Sequence, residues 1–334
     1  MKIDVQTKQR NYPIYLERGS LHKVKELINP QGKVFIVSDD GVPEKLQKIL
    51  VEQFDDAPIH VFKNGEGSKN LQTLEEILKH MLECKMSRKD MVIALGGGVV
   101  GDIAGLAAAT YMRGIEYVNI PTTTLSEIDS SIGGKTAVDL AGVKNSVGCF
   151  WQPSAVIIDM DTLSTLPLRH FNNGLAEAVK TGLILDKNLF EIFESDDYLE
   201  HLEEIIYRCL ICKKKIVEED ERENGKRKLL NFGHTYGHAY ESYHKLNEYY
   251  HGECVAMGMM TILKNDEIKN RLEKVLNRLS LPISCEADKE KIVDLILNDK
   301  KANHTHVTIV QVDEIGNGHL EDWSIDDIKK VLGL

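Results

Sequence analysis

The sequence predicts an α/β N-terminal nucleotide-binding domain built on a parallel sheet, followed by a mainly α-helical C-terminal domain. Three observations carry this. From residue 33 to residue 120, short apolar runs alternate with periodic stretches of about a dozen residues, the pattern of parallel strands covered by helices. One run stops at Gly96-Gly97-Gly98-Val99-Val100-Gly101-Asp102, a glycine-rich turn between strand and helix. Beyond Pro167 the apolar residues recur at helical spacing. The boundary falls near residues 165–170, giving domains 1–166 and 167–334.

The elements follow in order. Lys33–Ser38 is a buried strand ended by Asp39-Asp40-Gly41, and Pro43 opens a helix that runs to about Phe54. Ile59–Phe62 is a second strand, leading into the loop Asn64–Asn70 and the periodic helix Leu71–Lys85. Met91–Leu95 is the third strand. Gly96, Gly98 and Gly101 then fit G-x-G-x-x-G before the helix Ile103–Tyr111, where free backbone N–H groups would cradle a pyrophosphate. A tight glycine turn without a ligand would look the same in isolation. The next strand, Tyr117–Ile120, ends in Pro121-Thr122-Thr123-Thr124 rather than in an acidic residue. This is therefore a nucleotide-binding sheet but not an ordinary dinucleotide dehydrogenase, and Asp39 is the better candidate for a ribose or adenine contact. Gly133-Gly134 beside Lys135, and Gly142 beside Lys144-Asn145, read either as polar surface loops or as phosphate- or carboxylate-binding turns. Ala155–Asp159 is a further strand, and Leu163–Pro167 closes the sheet region.

In the second half, Leu175–Leu185, Leu199–Val217, Leu229–Tyr240, Cys254–Lys264 and Ile268–Leu279 read as helices. The next strand is Val307–Val312. There is no internal repeat, low-complexity tract or long linker.

The formal net charge of −11 over 334 residues, with basic residues scattered apart from Lys213–Lys215, argues against a nucleic-acid partner. The first ten residues have no apolar signal core and no 18-residue apolar run occurs, so a cytoplasmic enzyme with no membrane segment is expected. Of the six cysteines, Cys209 and Cys212 form a C-x-x-C inside an apolar helical pattern. They read as core thiols rather than a redox or zinc pair.

The densest chemistry lies in Arg227–Glu241, RKLLNFGHTYGHAYE, followed by His251-Gly252-Glu253. On a helix, His234 and His238 share a face. Both could bind one metal ion, one could bind metal while the other holds an anion, or both could lie on the surface. Gly233 and Gly237 precede the two histidines and leave room for something to approach the backbone. Arg227 and Asn231 are expected about two turns and one turn before His234 on the same face. Glu177, set among Leu175, Ala176, Ala178 and Val179 and three residues before Lys180, reads as inward-facing and paired with a cation or metal. The bland reading is a surface pair.

Taken together, the motifs NGEGSK, GGGVVGD, YMRG, PTTTLSEIDSSIGGKTAV, GLAEAVK, DERENGKRKLLNFGHTYGHAYE, HGECVAMGM and DKK span roughly residues 30–320. In them the chain resembles the 3-dehydroquinate synthase family of sugar-phosphate cyclases. The resemblance implies an NAD-binding domain, a helical domain, an active site in the cleft between them, and a homodimer. It implies a divalent metal, Zn²⁺ or Co²⁺, held by Glu177, His234 and His251, with His238 a substrate contact.

The implied substrate is 3-deoxy-D-arabino-heptulosonate 7-phosphate. Its C5 hydroxyl is oxidised by NAD⁺, phosphate leaves by β-elimination, the hydride returns, and ring opening with aldol closure gives 3-dehydroquinate. Arg113, Lys135, Asn145, Lys213, Arg227, Asn231, His238 and Lys300 would surround the substrate, with Lys301 an alternative to Lys300. Asp129, Lys180 and Glu223 would order hydroxyls and proton transfers. NAD would be held by Asp39, the loop Asn64, Gly65, Glu66 and Lys69, the turn Gly97, Gly98, Val99, Val100, Gly101 and Asp102, by Thr122, Thr123, Lys135 and Lys144, and by Thr162, Leu163, Ser164 and Thr165. The stretch Asp299–His304 follows the family pattern loosely. The rivals are a sister cyclase of the 2-deoxy-scyllo-inosose synthase type and a metal-dependent polyol dehydrogenase.

Overall fold

A computed structural model describes residues 1–244, 248–299 and 306–334. The chain divides into two compact units, Met1–Pro167 and Leu168–Leu334.

Unit 1 contains, in chain order, β1 (Lys2–Gln6), β2 (Asn11–Leu16), α1 (Val24–Ile28), β3 (Val34–Asp39), α2 (Glu44–Val51), β4 (Ile59–Phe62), α3 (Leu71–Glu83), β5 (Met91–Gly96), α4 (Gly98–Thr110), β6 (Glu116–Pro121), β7 (Lys135–Leu140), β8 (Val143–Phe150) and β9 (Ala155–Ile158). Seven strands form one sheet in the order β1-β2-β9-β6-β5-β3-β4. All neighbours are parallel except β1 and β2.

The central strands read as unbroken apolar runs because helices cover both faces. In β3, Phe35 and Val37 join the core under α3 and α4, while Val34 and Ile36 join the opposite core under α2. In β5, Val92 and Ala94 alternate with Ile93 and Leu95 in the same way. Each fully buried side chain of this kind contributes about 1.5–3 kcal/mol, which pins the register. From β3 the chain runs outward to the edge strand β4, then returns to β5 on the other side of β3. The carboxyl ends of β3 and β5 therefore flank a topological switch point, where open α/β sheets bind ligands.

Two features of unit 1 differ from the sequence expectation. β1 and β2 form an antiparallel edge hairpin, with Ile3, Val5, Tyr12, Ile14 and Leu16 turned inward. Their period-2 alternation was the available signal, and Pro13 inside β2 masked it. Lys135 and Lys144-Asn145 stand not on separate loops but on a second hairpin, β7–β8, closed by Ala141 and Gly142 at φ 52° and 80°. That is the positive-φ pair of a two-residue hairpin turn.

Unit 2 contains α5 (Leu168–Leu185), α6 (Lys187–Glu194), α7 (Leu202–Glu219), α8 (His234–Tyr243), α9 (His251–Ile262), α10 (Asp266–Arg278), α11 (Lys289–Asp299), the antiparallel hairpin β10 (His306–Glu314) and β11 (Asn317–Ser324), and α12 (Ile325–Val331). The central helix α5 is buried continuously from Asn172 to Ile184, so charges on it must be paired. Among the described residues no helix is long and apolar enough to cross a membrane. Cys209 and Cys212 are free thiols on α7, and burial pushes Cys212 up to about 11.

The expected helix Leu229–Tyr240 is two elements. Lys226–Asn231 is a 3-10 turn, Phe232 is extended at ψ 127°, and Gly233 has φ 76° before α8 begins at His234. Arg227 and Asn231 therefore do not share a helical face with the histidines. The apolar spacing of Leu229, Phe232, Tyr236 and Tyr240 runs through the break, which hid it. The glycines have a different partner from the one expected as well. A Cβ on Gly233 would lie 2.6 Å from Met259 Cγ and 2.8 Å from the Val255 carbonyl, and one on Gly237 would lie 3.1 Å from the Cys254 carbonyl. What approaches the α8 backbone is α9, not a ligand.

Candidate active site

In unit 1, the residues singled out for a nucleotide fall in the segments that follow the carboxyl ends of β3, β4, β5, β6 and β9, apart from Lys135 and Lys144 on the β7–β8 hairpin. Asp39 ends β3, and its Oδ1 accepts the N–H groups of Gly41 (3.0 Å) and Val42 (3.2 Å). Burial pushes its carboxyl up. The Asn64 side chain packs against Gly41.

After β5, α4 starts at Gly98 with no side-chain cap on Gly97. The first turn of this 13-residue helix is therefore uncapped by Gly97, and a helix N-terminus of this kind suits an anion. Thr123 packs beside Gly97, Ser130 packs beside Gly98, and the Thr122 N–H bonds the Gly96 carbonyl at 3.0 Å.

Lys69 is the hub of the next group. Its ammonium lies 2.7 Å from Asp102, 3.8 Å from Glu66 and 2.6 Å from Oδ1 of Asn145. Burial works against its charge, but Asp102 and Glu66 more than offset this and push its pKa up. Lys144 is 3.8 Å from the same Glu66. Asn145, a substrate contact on the family resemblance, shares the Lys69 ammonium with the nucleotide candidates Asp102 and Glu66. Thr162, Leu163, Ser164 and Thr165 lie on the 3-10 turn Met160–Thr165 after β9. Arg113 stands apart, in the turn beyond the far end of α4, about 20 Å of helix from Gly98. Asp129 is half-buried in a π-helical turn, and Lys135 is exposed at the start of β7.

In unit 2, α5, α8 and α9 bring Glu177, His234 and His251 together, with one ligand atom from each lying within 4.8 Å of the others. Glu177 Oε1 is 3.5 Å from Nε2 of His234 and 3.7 Å from Nε2 of His251. This oxygen is buried and has no hydrogen-bond partner. The other carboxylate oxygen is bonded to the Lys180 ammonium, one turn along α5. Both side chains are almost wholly buried, which removes the surface-pair reading. Burial would raise the Glu177 carboxyl, but Lys180 and the two imidazoles hold it well below the usual range.

Both histidines open a helix. His234 follows Gly233, and its Nδ1 faces the Phe232 carbonyl at 3.1 Å. That bond assigns the proton to Nδ1 and leaves the Nε2 lone pair toward Glu177. Burial, then Lys180, push the pKa of His234 well down. His251 is held by the α9 terminus: Asn173 Oδ1 on α5 accepts the Gly252 N–H at 2.7 Å, and Glu253 accepts the Tyr250 N–H at 2.8 Å while pairing with Arg169. Burial lowers the pKa of His251, but Glu177 and Glu241 raise it more, up to about 9. Glu241, which the sequence reading passed over, lies 3.7 Å from Nδ1 of His251.

These residues fit a divalent cation. An ionised buried oxygen without a donor is costly, and a cation among the three ligands removes that cost. Two ligand atoms on a tetrahedral ion with bonds of about 2.0–2.1 Å stand about 3.3 Å apart, close to the separations seen. One carboxylate, two imidazoles and an open fourth position make a catalytic rather than a structural set. A second group, His238, Glu241 and His251, shares His251, so geometry by itself leaves His238 within reach of metal.

In the segment between α7 and α8, the Asp220 carboxylate gathers the N–H groups of Asn224, Gly225 and Arg227 and shapes the loop. Glu223, at φ 60°, accepts from Asn231 Nδ2 at 3.0 Å. Arg227 and Lys213 are buried. Lys300 and Lys301 lie outside the described residues.

The 3-dehydroquinate synthase N-terminal family matches residues 59–173, and its C-terminal counterpart matches residues 174–302. The 3-dehydroquinate synthase of Clostridium acetobutylicum is 40% identical over 99% of this chain and 98% of its own. The chain belongs to the 3-dehydroquinate synthase family. It is therefore an enzyme. Two solved members of sister families superpose on it. A 2-deoxy-scyllo-inosose synthase complexed with carbaglucose-6-phosphate, NAD⁺ and Co²⁺ has a TM-score of 0.89 at 26% identity, covering 99% of both chains. The 2-epi-5-epi-valiolone synthase of Streptomyces hygroscopicus, with NAD⁺ and Zn²⁺ bound, has a TM-score of 0.87 at 26% identity, covering 98% of this chain and 97% of its own.

Proposed function

We propose that the protein is a 3-dehydroquinate synthase, converting 3-deoxy-D-arabino-heptulosonate 7-phosphate to 3-dehydroquinate and phosphate. The observation that carries the chemistry is the buried, unpartnered Glu177 Oε1 facing two imidazoles. NAD, when bound, supplies a reversible hydride acceptor, and a divalent ion at Glu177, His234 and His251 supplies Lewis acidity.

The chain's own groups do the rest. The α4 terminus and the Lys69 cluster hold the dinucleotide, with Asp39 and the Thr162–Thr165 turn at its other end. Lys180, its ammonium fixed by Glu177, orders the hydroxyl beside the reacting carbon and moves its proton. Lys213, Arg227, Asn231 and His238 bind the anionic groups of the substrate. Lys135 adds to the substrate contacts, Asp129 and Glu223 order hydroxyls and proton transfers, Asn145 stands with the Lys69 cluster, and Arg113, beyond the far end of α4, is given no part in this pocket. Glu241 and the Phe232 carbonyl orient the ligand histidines. A homodimer in the cytoplasm belongs to the same reading, and the free thiols of all six cysteines suit a reducing compartment.

The likeness to 2-deoxy-scyllo-inosose synthase favours one rival, a cyclase for a sugar phosphate lacking the carboxylate. Phosphate release with the heptulosonate phosphate and with glucose 6-phosphate separates them, since only the first should turn over. Steady NADH accumulation would point instead to a dehydrogenase.

A further inference from the structure

Glu127 is wholly buried in the π-helical turn Ser126–Ser130, and no step above uses it. Its Oε1 lies 3.3 Å from the Thr162 hydroxyl, and its Oε2 is buried with no hydrogen-bond partner. The nearby charges do not neutralise it. Asp159 has both carboxylate oxygens engaged by the N–H groups of Gly19, Leu21 and Asp161. Arg18 pairs with Asp161 at 2.7 Å. Asp129, on the same turn, is an acid as well.

The hydrogen-bond inventory decides the protonation state. A threonine hydroxyl has one proton. Thr162 Oγ1 lies 2.8 Å from the Asp159 carbonyl, nearer than Glu127, and a carbonyl can only accept. The hydroxyl proton goes there, so Thr162 meets Glu127 as an acceptor, and the proton between them belongs to the carboxyl. Ionised, Glu127 would set lone pair against lone pair and leave a charged oxygen without a donor in the interior. Burial agrees, pushing the carboxyl well above its usual range, and Asp159 adds to it; a proton given by Thr162 would oppose, but the Asp159 carbonyl engages that proton, and Arg18 opposes more weakly.

Thr162 in turn organises its neighbours. Its backbone carbonyl accepts from Thr165 Oγ1 at 2.8 Å, and Ser164 bonds the Asp161 carbonyl at 2.7 Å. Thr162, Ser164 and Thr165 line a recess with His22, Pro43 and Lys45, next to the residues that follow β3.

We propose that Glu127 is a positioning residue that acts as an uncharged hydrogen-bond donor, locking Thr162 and through it the Met160–Thr165 turn against the nucleotide. This rests on the reading that the turn contacts NAD. The lock is complete while the carboxyl is protonated. It is lost as pH rises through the raised folded value, so NAD affinity falls with pH by up to about tenfold per unit once Glu127 ionises.

The test uses the full-length metal-loaded protein, Glu127→Gln, which donates but cannot ionise, and Glu127→Leu, which cannot donate. NAD Kd by calorimetry and thermal midpoint are followed from about pH 6 to about pH 9. The expected result is an alkaline weakening of NAD binding and of the midpoint in the wild type, both flattened in Glu127→Gln, with Glu127→Leu weaker for NAD at every pH. A Glu127→Gln midpoint well below wild type at neutral pH would overturn the proposal, since an ionised carboxylate would then be the stabilising form. Wild-type binding of NAD with the same affinity and pH profile in all three proteins would overturn the coupling to the turn. Failure of the wild type to bind NAD at all would instead sink the cofactor reading itself.

Discussion

Glu241 Oε2 stands 3.7 Å from Nδ1 of His251, while Nε2 on the other side of the same ring stands 3.7 Å from Glu177. A carboxylate behind a ligand imidazole fixes its tautomer and raises its basicity. Glu241→Gln should therefore weaken Zn²⁺ binding about 10–100-fold in a chelator competition, with the far-UV circular dichroism unchanged. Wild-type metal affinity in this variant would reduce Glu241 to a packing role.

His234 and His238 are neighbouring rings, 5.4 Å between centroids. The Phe232 carbonyl on Nδ1 of His234 prepares that ring as a ligand. His234→Ala should lose bound metal. His238→Ala should keep its metal stoichiometry and show a raised KM or lowered kcat that added Zn²⁺ does not restore. Equal metal loss in the two purified variants would make both rings ligands.

The Lys180 ammonium bonds Glu177 in the core of α5. Lys180→Met leaves that carboxylate to the imidazoles, so the metal-free protein should lose about 3–5 kcal/mol in denaturant unfolding. Saturating Zn²⁺ should recover much of this, while turnover stays orders of magnitude down. Unchanged kcat would remove Lys180 from the proton-transfer role.

Gly233 combines a positive φ with contact against α9. Gly233→Ala should cost about 2–4 kcal/mol from backbone strain and overpacking together, and metal content should fall because His234 is the next residue. A variant with wild-type stability and a full metal load would show that the break is not what sets the His234 ring.

The sequence by itself determined the parallel strands of the sheet, their covering helices and the identity of the chemistry, but not the antiparallel edge hairpin of β1 and β2. Strands buried on both faces are near-continuous apolar runs, as in Val34–Val37 and Met91–Leu95, and their short length and bounding turn residues mark them as strands. Glu177 was legible because a carboxylate within an apolar helical stretch has to find a partner. Tertiary structure alone decided the rest, for reasons of packing and hydrogen bonding that local spacing does not contain. The break at Phe232 and Gly233 exists because α9 lies against the α8 backbone, and a helical period runs through such a break unnoticed. Lys69, Asp102 and Asn145 meet only because the β7–β8 hairpin folds back beside the start of α4. Glu241 and Glu127 look like any other glutamates in the chain. What sets them apart is the group each faces, the His251 ring for one and a hydroxyl whose proton is already engaged for the other, and those partners are 10 and 35 residues away.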